Sequence, residues 1–395
     1  MDENPKMVSS KLVIPALVLS RVAAQPHGLI TALLLIEIAQ TFNIPIGVAG
    51  QLSTAVSIVS VFMGLLMSFL AIKYNYRSLM LVGLAFYTTS FVGNYLAPDF
   101  ASLLVMFSLI GVGASMVNPM TSALVGTLLS VEKRTRIISW FFAGMAICVL
   151  VGSPYVTFIT GMWGWRANFL LFALPFALTA FLLAYVAIPS SGTHTGSKST
   201  QASIIHGFKE IFSNRSAVSC ILCTILTEAT WTVTPVYGIT YMRQITQLPL
   251  GLSWLILVGT STSFMAGSLT GGRLVDRLGR RGLAVISSFG TGALIAAYLN
   301  IGTPAISAAL LFAGCVVSSM RYTAAESLTL EQVPGLKGTV MSLNSIALSV
   351  GVAVGTGLGG LLLLSYGYEG LGFMGLFSVA ASVLYRFSVM DPIHS

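Results

Sequence analysis

Twelve apolar runs separated by short polar joints dominate this chain and set what it can fold into. They fall at 12–38, 48–72, 78–96, 102–129, 137–162 and 168–188, then at 217–242, 252–272, 283–301, 305–333, 339–366 and 370–389. About 20 mostly apolar helical residues cross a bilayer, and tilt or protrusion absorbs the surplus of the longer runs. With 55% hydrophobic and 8% charged residues, the chain has more apolar surface than a water-soluble domain could hide. In lipid every backbone polar group must be satisfied within the protein, which leaves helices or a closed barrel. Continuous runs, in place of the alternation a barrel strand requires, select helices. The expected fold is an all-α polytopic membrane protein with twelve transmembrane helices.

Charge supports that reading. If the N-terminus is cytoplasmic, sixteen of the twenty Lys and Arg face the cytoplasm. Only Arg166 and Arg243 fall on the other side, while Arg21 and Arg321 lie within spans. This positive-inside bias predicts a multi-pass protein of the cell membrane with both termini cytoplasmic. The net charge of +8 therefore orients the chain in the bilayer, and no nucleic-acid partner is expected. Cys148, Cys220, Cys223 and Cys315 lie in or at the ends of spans and are read as packing residues. A polar head of eleven residues leads directly into the first span, so no cleaved leader is expected.

The one long polar stretch divides the chain into an N-terminal six-helix bundle (1–189), a linker (190–216) and a C-terminal bundle (217–395). The linker opens on flexible Ser, Thr and Gly. It then places Ile204, Ile205, Phe208, Ile211 and Phe212 at helical spacing, the pattern of a short amphipathic helix on the membrane surface. The two bundles echo each other. Ser115-Met116 with Leu124 recurs as Ser319-Met320 with Leu328, 204 residues on. Val151-Gly152-Ser153 leading to Gly164-Trp165-Arg166 recurs as Val354-Gly355-Thr356 leading to Gly367-Tyr368-Glu369, at 203. Matches at nearly one offset, each in the corresponding span, mark an internal duplication.

The densest charge in the chain is the turn Gly271-Gly272-Arg273-Leu274-Val275-Asp276-Arg277-Leu278-Gly279-Arg280-Arg281, between the eighth and ninth runs. Its weaker copy, Leu70-Ala71-Ile72-Lys73-Tyr74-Asn75-Tyr76-Arg77, lies between the second and third. Twelve spans in two sixes, a long central loop and this turn resemble the major facilitator superfamily over essentially the whole chain. The family's motif A is matched at Gly272, Leu274, Asp276, Arg277, Gly279, Arg280 and Arg281. The first-half copy keeps Lys73 and Arg77, but Ser68, Ile72 and Asn75 stand where the motif has Gly, Asp and Gly. The resemblance implies that this turn latches the two halves, with Asp276 reaching the start of the fifth span near Arg134 and Arg136. The alternative is that its arginines only enforce topology.

In finer pattern the chain is most similar to the drug:proton antiporter branch. Gly111-Val112-Gly113-Ala114 with Asn118-Pro119 matches that branch's motif B, although Phe107 stands in place of its arginine. Gly144, Gly152, Pro154 and Gly161 to Arg166 resemble its motif C without the Gly-Pro-x-x-Gly core.

An ionisable side chain at the centre of a bilayer costs about 2.5–3.5 kcal/mol on insertion scales. Five such residues lie well inside spans: Arg21 and His27 in the first, Glu228 in the seventh, Arg321 and Glu326 in the tenth. The resemblance places these helices around the central cavity. Arg21, sharing a helical face with Gln25, either binds a carboxylate or phosphate through its planar fork or pairs permanently with an acid. His27 either titrates near neutral pH or satisfies a backbone carbonyl. Glu228, with Trp231 and Tyr237 further along its helix, either carries a proton or neutralises an arginine. A salt bridge from Glu228 to Arg321 is expected, whereas Arg321 and Glu326, about 140° apart around a helix, face different partners. Tyr322, Asn118 and Gln51 are further cavity candidates, Asn118 alternatively repairing the hydrogen bond lost at Pro119.

No His-Glu-x-x-His, phosphate loop or soluble domain occurs, so neither an enzyme nor a one-chain ATP-driven pump is expected, and no cofactor or metal. The expectation is a monomeric secondary transporter that moves a small organic solute by alternating access, coupled to protons in efflux or exchange. Uptake of an organic anion or zwitterion is the alternative. A non-transporting membrane sensor is the reading from another class.

Overall fold

The computed structural model describes residues 12–128, 131–189, 209–333 and 337–391, and these contain helices and joints with no strand. In chain order the long helices are α1 (Val13–Thr41), α2 (46–73), α3 (Tyr76–Leu96), α4 (Phe100–Leu128), α5 (Val131–Trp163) and α6 (Phe169–Ala187). They continue with α7 (Arg215–Gln244), α8 (Leu250–Leu278), α9 (Arg280–Tyr298), α10 (Pro304–Leu330), α11 (Lys337–Leu371) and α12 (Gly375–Phe387). Ten stretches are long and apolar enough to cross a membrane. One of them, Leu343–Phe387, is 45 residues long and holds both α11 and α12, because the chain breaks at Gly367 with φ 66°. With α9, whose first turn carries Arg280 and Arg281, the structure accommodates twelve spans.

Large apolar side chains face outward along these helices, among them Phe62, Val151, Val186 and Leu269, each more than half exposed. Water would not tolerate that outer surface, whereas hydrocarbon does. Many hydroxyls inside the spans are satisfied by the helix itself. On α7, Thr224, Thr227, Thr230 and Thr232 each donate to the carbonyl four residues back, so its polar composition leaves few groups for lipid to solvate.

By packing, the described residues fall into two units. The first lies within 1–38 and 55–197, the second within 39–54 and 198–395. In the first unit α3 packs along α4, and the first segment of α1 lies against α5 and α6. In the second, α10 packs on both α8 and α9, and α7 on α11 and α12. Glycines allow the tightest crossings. A Cβ on Gly111 of α4 would stand 2.3 Å from the Val56 carbonyl oxygen of α2, and one on Gly267 of α8 would stand 2.2 Å from the Val316 carbonyl oxygen of α10. The turn between 39 and 54 joins the second unit in the same way: Gly47 and Gly360 approach backbone to backbone, and Thr54 hydrogen-bonds Thr356 at 2.7 Å.

The two charged turns are built differently. Before α9, Gly279 takes φ 71° and ψ 158°, a conformation essentially restricted to glycine, and no side chain caps the helix. Before α3, Asn75 keeps an ordinary φ of −67°, and its side chain accepts from the Arg77 N–H at 2.9 Å, a conventional N-cap. The substitution of Gly by Asn in the first copy thus replaces a left-handed turn with a capped one. Both copies then perform the same task. Arg77 donates to the Tyr185 carbonyl at 2.6 Å in the last turn of α6, with its guanidinium over the Tyr185 ring. Arg281 donates to the Tyr385 carbonyl at 3.1 Å and to that of Arg386, at the end of α12. A cation on the exposed carbonyls of a helix C-terminus is favourable by charge and by hydrogen bonding.

Of the linker, 209–216 is described, with 209–213 helical and 215–216 opening α7. There Ile211 is fully buried among Ala217, Val333 and Val340 while Phe212 is exposed. The end of the segment is therefore packed into the second unit. Ser203 to Phe208, the rest of the expected surface helix, lie outside the described residues. Asn214 then caps α7 by accepting from the Ser216 and Ala217 N–H groups.

Candidate functional site

The second unit buries an arginine in the middle of its apolar helices. Arg321 on α10 is 1% exposed, and Glu228 faces it from α7 with Arg321 Nη2 to Glu228 Oε2 at 3.9 Å. This is the expected ion pair, and its surroundings explain how it is held. Arg321 Nη1 donates to Thr227 Oγ1 at 2.7 Å, and the Tyr322 hydroxyl donates to Glu228 Oε2. The guanidinium carbon lies 4.0 Å from the centre of the Tyr322 ring, so the cation also sits on a π face. A Cβ on Gly351 of α11 would come within 2.6 Å of Glu228 Cβ, so that glycine admits the acid between the helices. Nε and Nη2 of Arg321 are buried and make no hydrogen bond. A separation of 3.9 Å is too long for a hydrogen bond, so this pair attracts mainly through charge and retains donor capacity.

An aromatic row adjoins the pair. Trp231 of α7 lies 5.6 Å from Phe264 of α8, and Phe264 lies 5.7 Å from Tyr322, centroid to centroid. Such a row offers apolar faces to a ring or a hydrocarbon, beside an acid and an arginine that can hydrogen-bond polar groups. Glu326, one turn beyond Tyr322, is exposed and has no hydrogen-bond or ion-pair partner among the described residues. Tyr237 is placed elsewhere. It is fully buried against Gly50 and Gly359, and its hydroxyl is spent on the Thr356 carbonyl at 2.9 Å.

In the first unit, α1 consists of Val13–Val22 and Gln25–Thr41, joined by a turn at Ala23 and Ala24. Pro26 fits the first turn of the second segment, where its missing N–H costs nothing. His27 Nδ1 hydrogen-bonds the Ala24 carbonyl in this break, the plainer of the two roles expected for it. Arg21 lies in the last turn before the break, half-buried, with no hydrogen-bond or ion-pair partner among the described residues. Gln25 and Asn118 also make no side-chain hydrogen bond there. Asn118 accordingly does not repair the bond lost at Pro119, and the Ser122 hydroxyl instead donates to the Asn118 carbonyl at 3.2 Å.

Of the expected latch residues, Arg273 and Arg277 are exposed and Arg280 is half-buried. The side chains of Asp276, Lys73, Arg134 and Arg136 lie outside the described residues, and the expected Asp276 contact with them. Thr227, Phe264 and Gly351 belong to the site but were not anticipated. Thr227 adjoins Glu228 in sequence and could have been suspected, whereas Phe264 and Gly351 carry no signal separating them from lipid-facing or packing residues.

The major facilitator superfamily model matches residues 22–262 and 221–394. The MFS-type transporter YtbD of Bacillus subtilis (strain 168) is 23% identical over 388 residues, covering 95% of both chains. A probable sugar efflux transporter of Pasteurella multocida (strain Pm70) is 24% identical over 358 residues, covering 89% of this chain and 86% of that one. Among solved structures, a D-xylose-proton symporter superposes with a TM-score of 0.80 at 15% identity, over 96% of this chain and 98% of that one.

Proposed function

Because the chain belongs to the major facilitator superfamily and is a secondary transporter, we propose that it moves a small polar organic solute by alternating access, coupled to protons in efflux or exchange. The observation that carries this reading is the Glu228–Arg321–Tyr322 cluster: a buried acid and a buried arginine whose donors are only partly used. The Glu228 carboxylate accepts either a proton or a donor group of the solute, and Arg321 beside it favours the ionised form that takes the solute. Proton and solute then compete for one acid, which is the linkage an exchanger requires. Trp231, Phe264 and Tyr322 give the solute an apolar face to rest on. The names of two relatives, a probable sugar efflux transporter and a D-xylose-proton symporter, support a polar organic solute and proton coupling. The protein works in the cell membrane with both termini cytoplasmic, and Asp276 steadies one of its states.

Purified protein in proteoliposomes tests this. Solutes that stabilise the protein against heat are assayed for counterflow and for proton movement, in wild type, Glu228→Gln and His27→Ala. We expect Glu228→Gln to uncouple protons from solute flux and His27→Ala to leave coupling intact. Wild-type proton-linked flux in Glu228→Gln would remove Glu228 from the pathway. Binding without counterflow for every ligand found would make the protein a sensor. Asp276→Asn is expected to slow flux at unchanged folding, and normal flux would reduce the charged turn to a topology signal. A second reading, uptake of an organic anion or zwitterion, is favoured by Arg21, which has no ion-pair partner among the described residues.

A further inference from the structure

In the first unit α5 and α6 do not pack along their length. The first segment of α1, Val13–Val22, lies against both, but α5 approaches α6 closely only around Phe169–Ala173. Beyond that point the two helices leave a groove with a cavity volume of about 630 Å³, within the range of sites that hold a drug-sized molecule. Its floor is buried and is built from Val22 of α1, Cys148 and Gly152 of α5 and Phe172 of α6. Its rim is open, with Ile147 55% and Val151 62% exposed. Glycine keeps the floor low: a Cβ on Gly152 would stand 2.6 Å from Phe172 Cζ, and one on Gly144 would stand 2.8 Å from Val22 Cγ2. Rings gather at one end, Tyr155 against Phe172 at 5.8 Å and Phe172 against Phe176 at 5.4 Å between centroids. Among the described residues no Asp, Glu, Lys, Arg or His lines the groove. It is separate from the Glu228–Arg321 cluster, which belongs to the second unit.

We propose that this groove is a lipid site whose occupant is one acyl chain of a membrane phospholipid. Three features select that occupant. The rim is continuous with the outward apolar surface that the bilayer covers, so hydrocarbon is what meets the groove. On α5 the lining runs from Gly144 to Tyr155 and on α6 from Phe172 to Leu183, about 16 Å each at about 1.5 Å per residue. That is the depth of one leaflet of a hydrocarbon core about 30 Å thick, as a chain lying along the helices requires. The lining also gives a headgroup no charge to bind. The polar end of the lipid therefore stays outside the groove, near Pro15 where α1 begins and Leu183 where α6 nears its end. Lipid tails are as apolar as the groove, so entry gains no hydrophobic energy. The gain is the dispersion contact that an unfilled groove forfeits. A seated chain thereby joins α1, α5 and α6 and splints the segment of α1 that carries Arg21.

The test illuminates the full-length protein in dodecyl maltoside micelles that contain phosphatidylcholine with a diazirine in one acyl chain, and maps the labelled peptides. Labelling is expected to concentrate on 13–22, 144–155 and 172–183, and untagged phosphatidylcholine is expected to compete it away. Val18→Phe fills the groove from α1 and should reduce that labelling about tenfold, the equivalent of about ten dispersion contacts. Val151→Phe narrows the groove from its exposed rim, where the fold has room for the ring, and gives the same reading where Val18→Phe does not fold. Val186→Phe, at a position 72% exposed on α6 outside the groove, should leave labelling unchanged. Labelling spread evenly over the outward faces overturns the site, as does labelling that survives both groove variants or falls equally in Val186→Phe. Competition by palmitate as strong as that by phosphatidylcholine would make a free fatty acid the occupant and overturn the phospholipid assignment. Equal competition by added dodecyl maltoside would show a groove that takes any alkyl chain, with the same consequence. Light scattering on the same samples tests a second copy of the chain: a dimer that Val18→Phe dissociates would assign the groove to that copy and overturn the lipid.

Discussion

The two six-helix halves each carry an arginine inside a span, and they treat it in opposite ways. In the second half Arg321 meets Glu228, Thr227 and the face of Tyr322. In the first half Arg21 is half-buried and has no hydrogen-bond or ion-pair partner among the described residues. A duplicated scaffold can therefore conserve helix packing while redistributing charge. The Glu228–Arg321 pair is neutral together, whereas no acid among the described residues pairs with Arg21. The same divergence appears at the charged turns, where a left-handed glycine and a capping asparagine deliver Arg281 and Arg77 to equivalent carbonyls.

The largest expected effect tests the arginines directly. Arg321→Ala leaves Glu228 buried without its cation and should cost about 3–5 kcal/mol of stability. Arg21→Ala strands no partner and should cost under about 1 kcal/mol, because it makes no bond to lose. Thermal unfolding of both variants in one detergent measures this, and equal losses would erase the contrast. Next come the glycine crossings. Gly111→Val and Gly267→Val each drive a side chain into a carbonyl on the neighbouring helix and should each lose about 1–3 kcal/mol by overpacking. A large loss in only one half would show that the two scaffolds are less alike than their packing implies.

The clamps follow in size. Arg281→Ala gives up two carbonyl acceptors and Arg77→Ala one, so the first should lower the melting temperature more, each bond being worth about 1 kcal/mol. The turns set the smallest effect beside a larger one. Gly279→Ala forces a Cβ into a glycine-only conformation and should cost about 1–3 kcal/mol, whereas Asn75→Gly should cost only a few tenths. Reversal of that order in unfolding measurements would mean that the two turns are not built as described.

The twelve-helix fold was legible because apolar length is a property of each run by itself. The Glu228–Arg321 pair was legible for the same reason: charges in an apolar run are conspicuous, and few others were present to answer them. The groove between α5 and α6 was not. Its residues look like packing until the two helices are seen to part, and that depends on three helices at once. The turn at Ala23 and Ala24 that gives His27 its carbonyl was equally hidden, since no helix-breaking residue marks it before Pro26. Tyr237 misled for the converse reason, its polar end having found an acceptor on α11.

The clamps also have a mechanical meaning. In the first half Arg77 ties the beginning of α3 to the last turn of α6, while Arg166, stacked on Trp165 just before α6, donates to the Ala97 carbonyl at the other end of α3, at 2.8 Å. A strut pinned at both ends resists shear, so α3 and α6 behave as one braced panel. The second half is riveted at one end by Arg281 and then along its length, where Ser382 and Ser378 of α12 donate to the Val285 and Ser288 carbonyls of α9 at 3.0 and 2.8 Å. One panel is fastened at its ends and its copy along its seam, so the two should resist load in different directions.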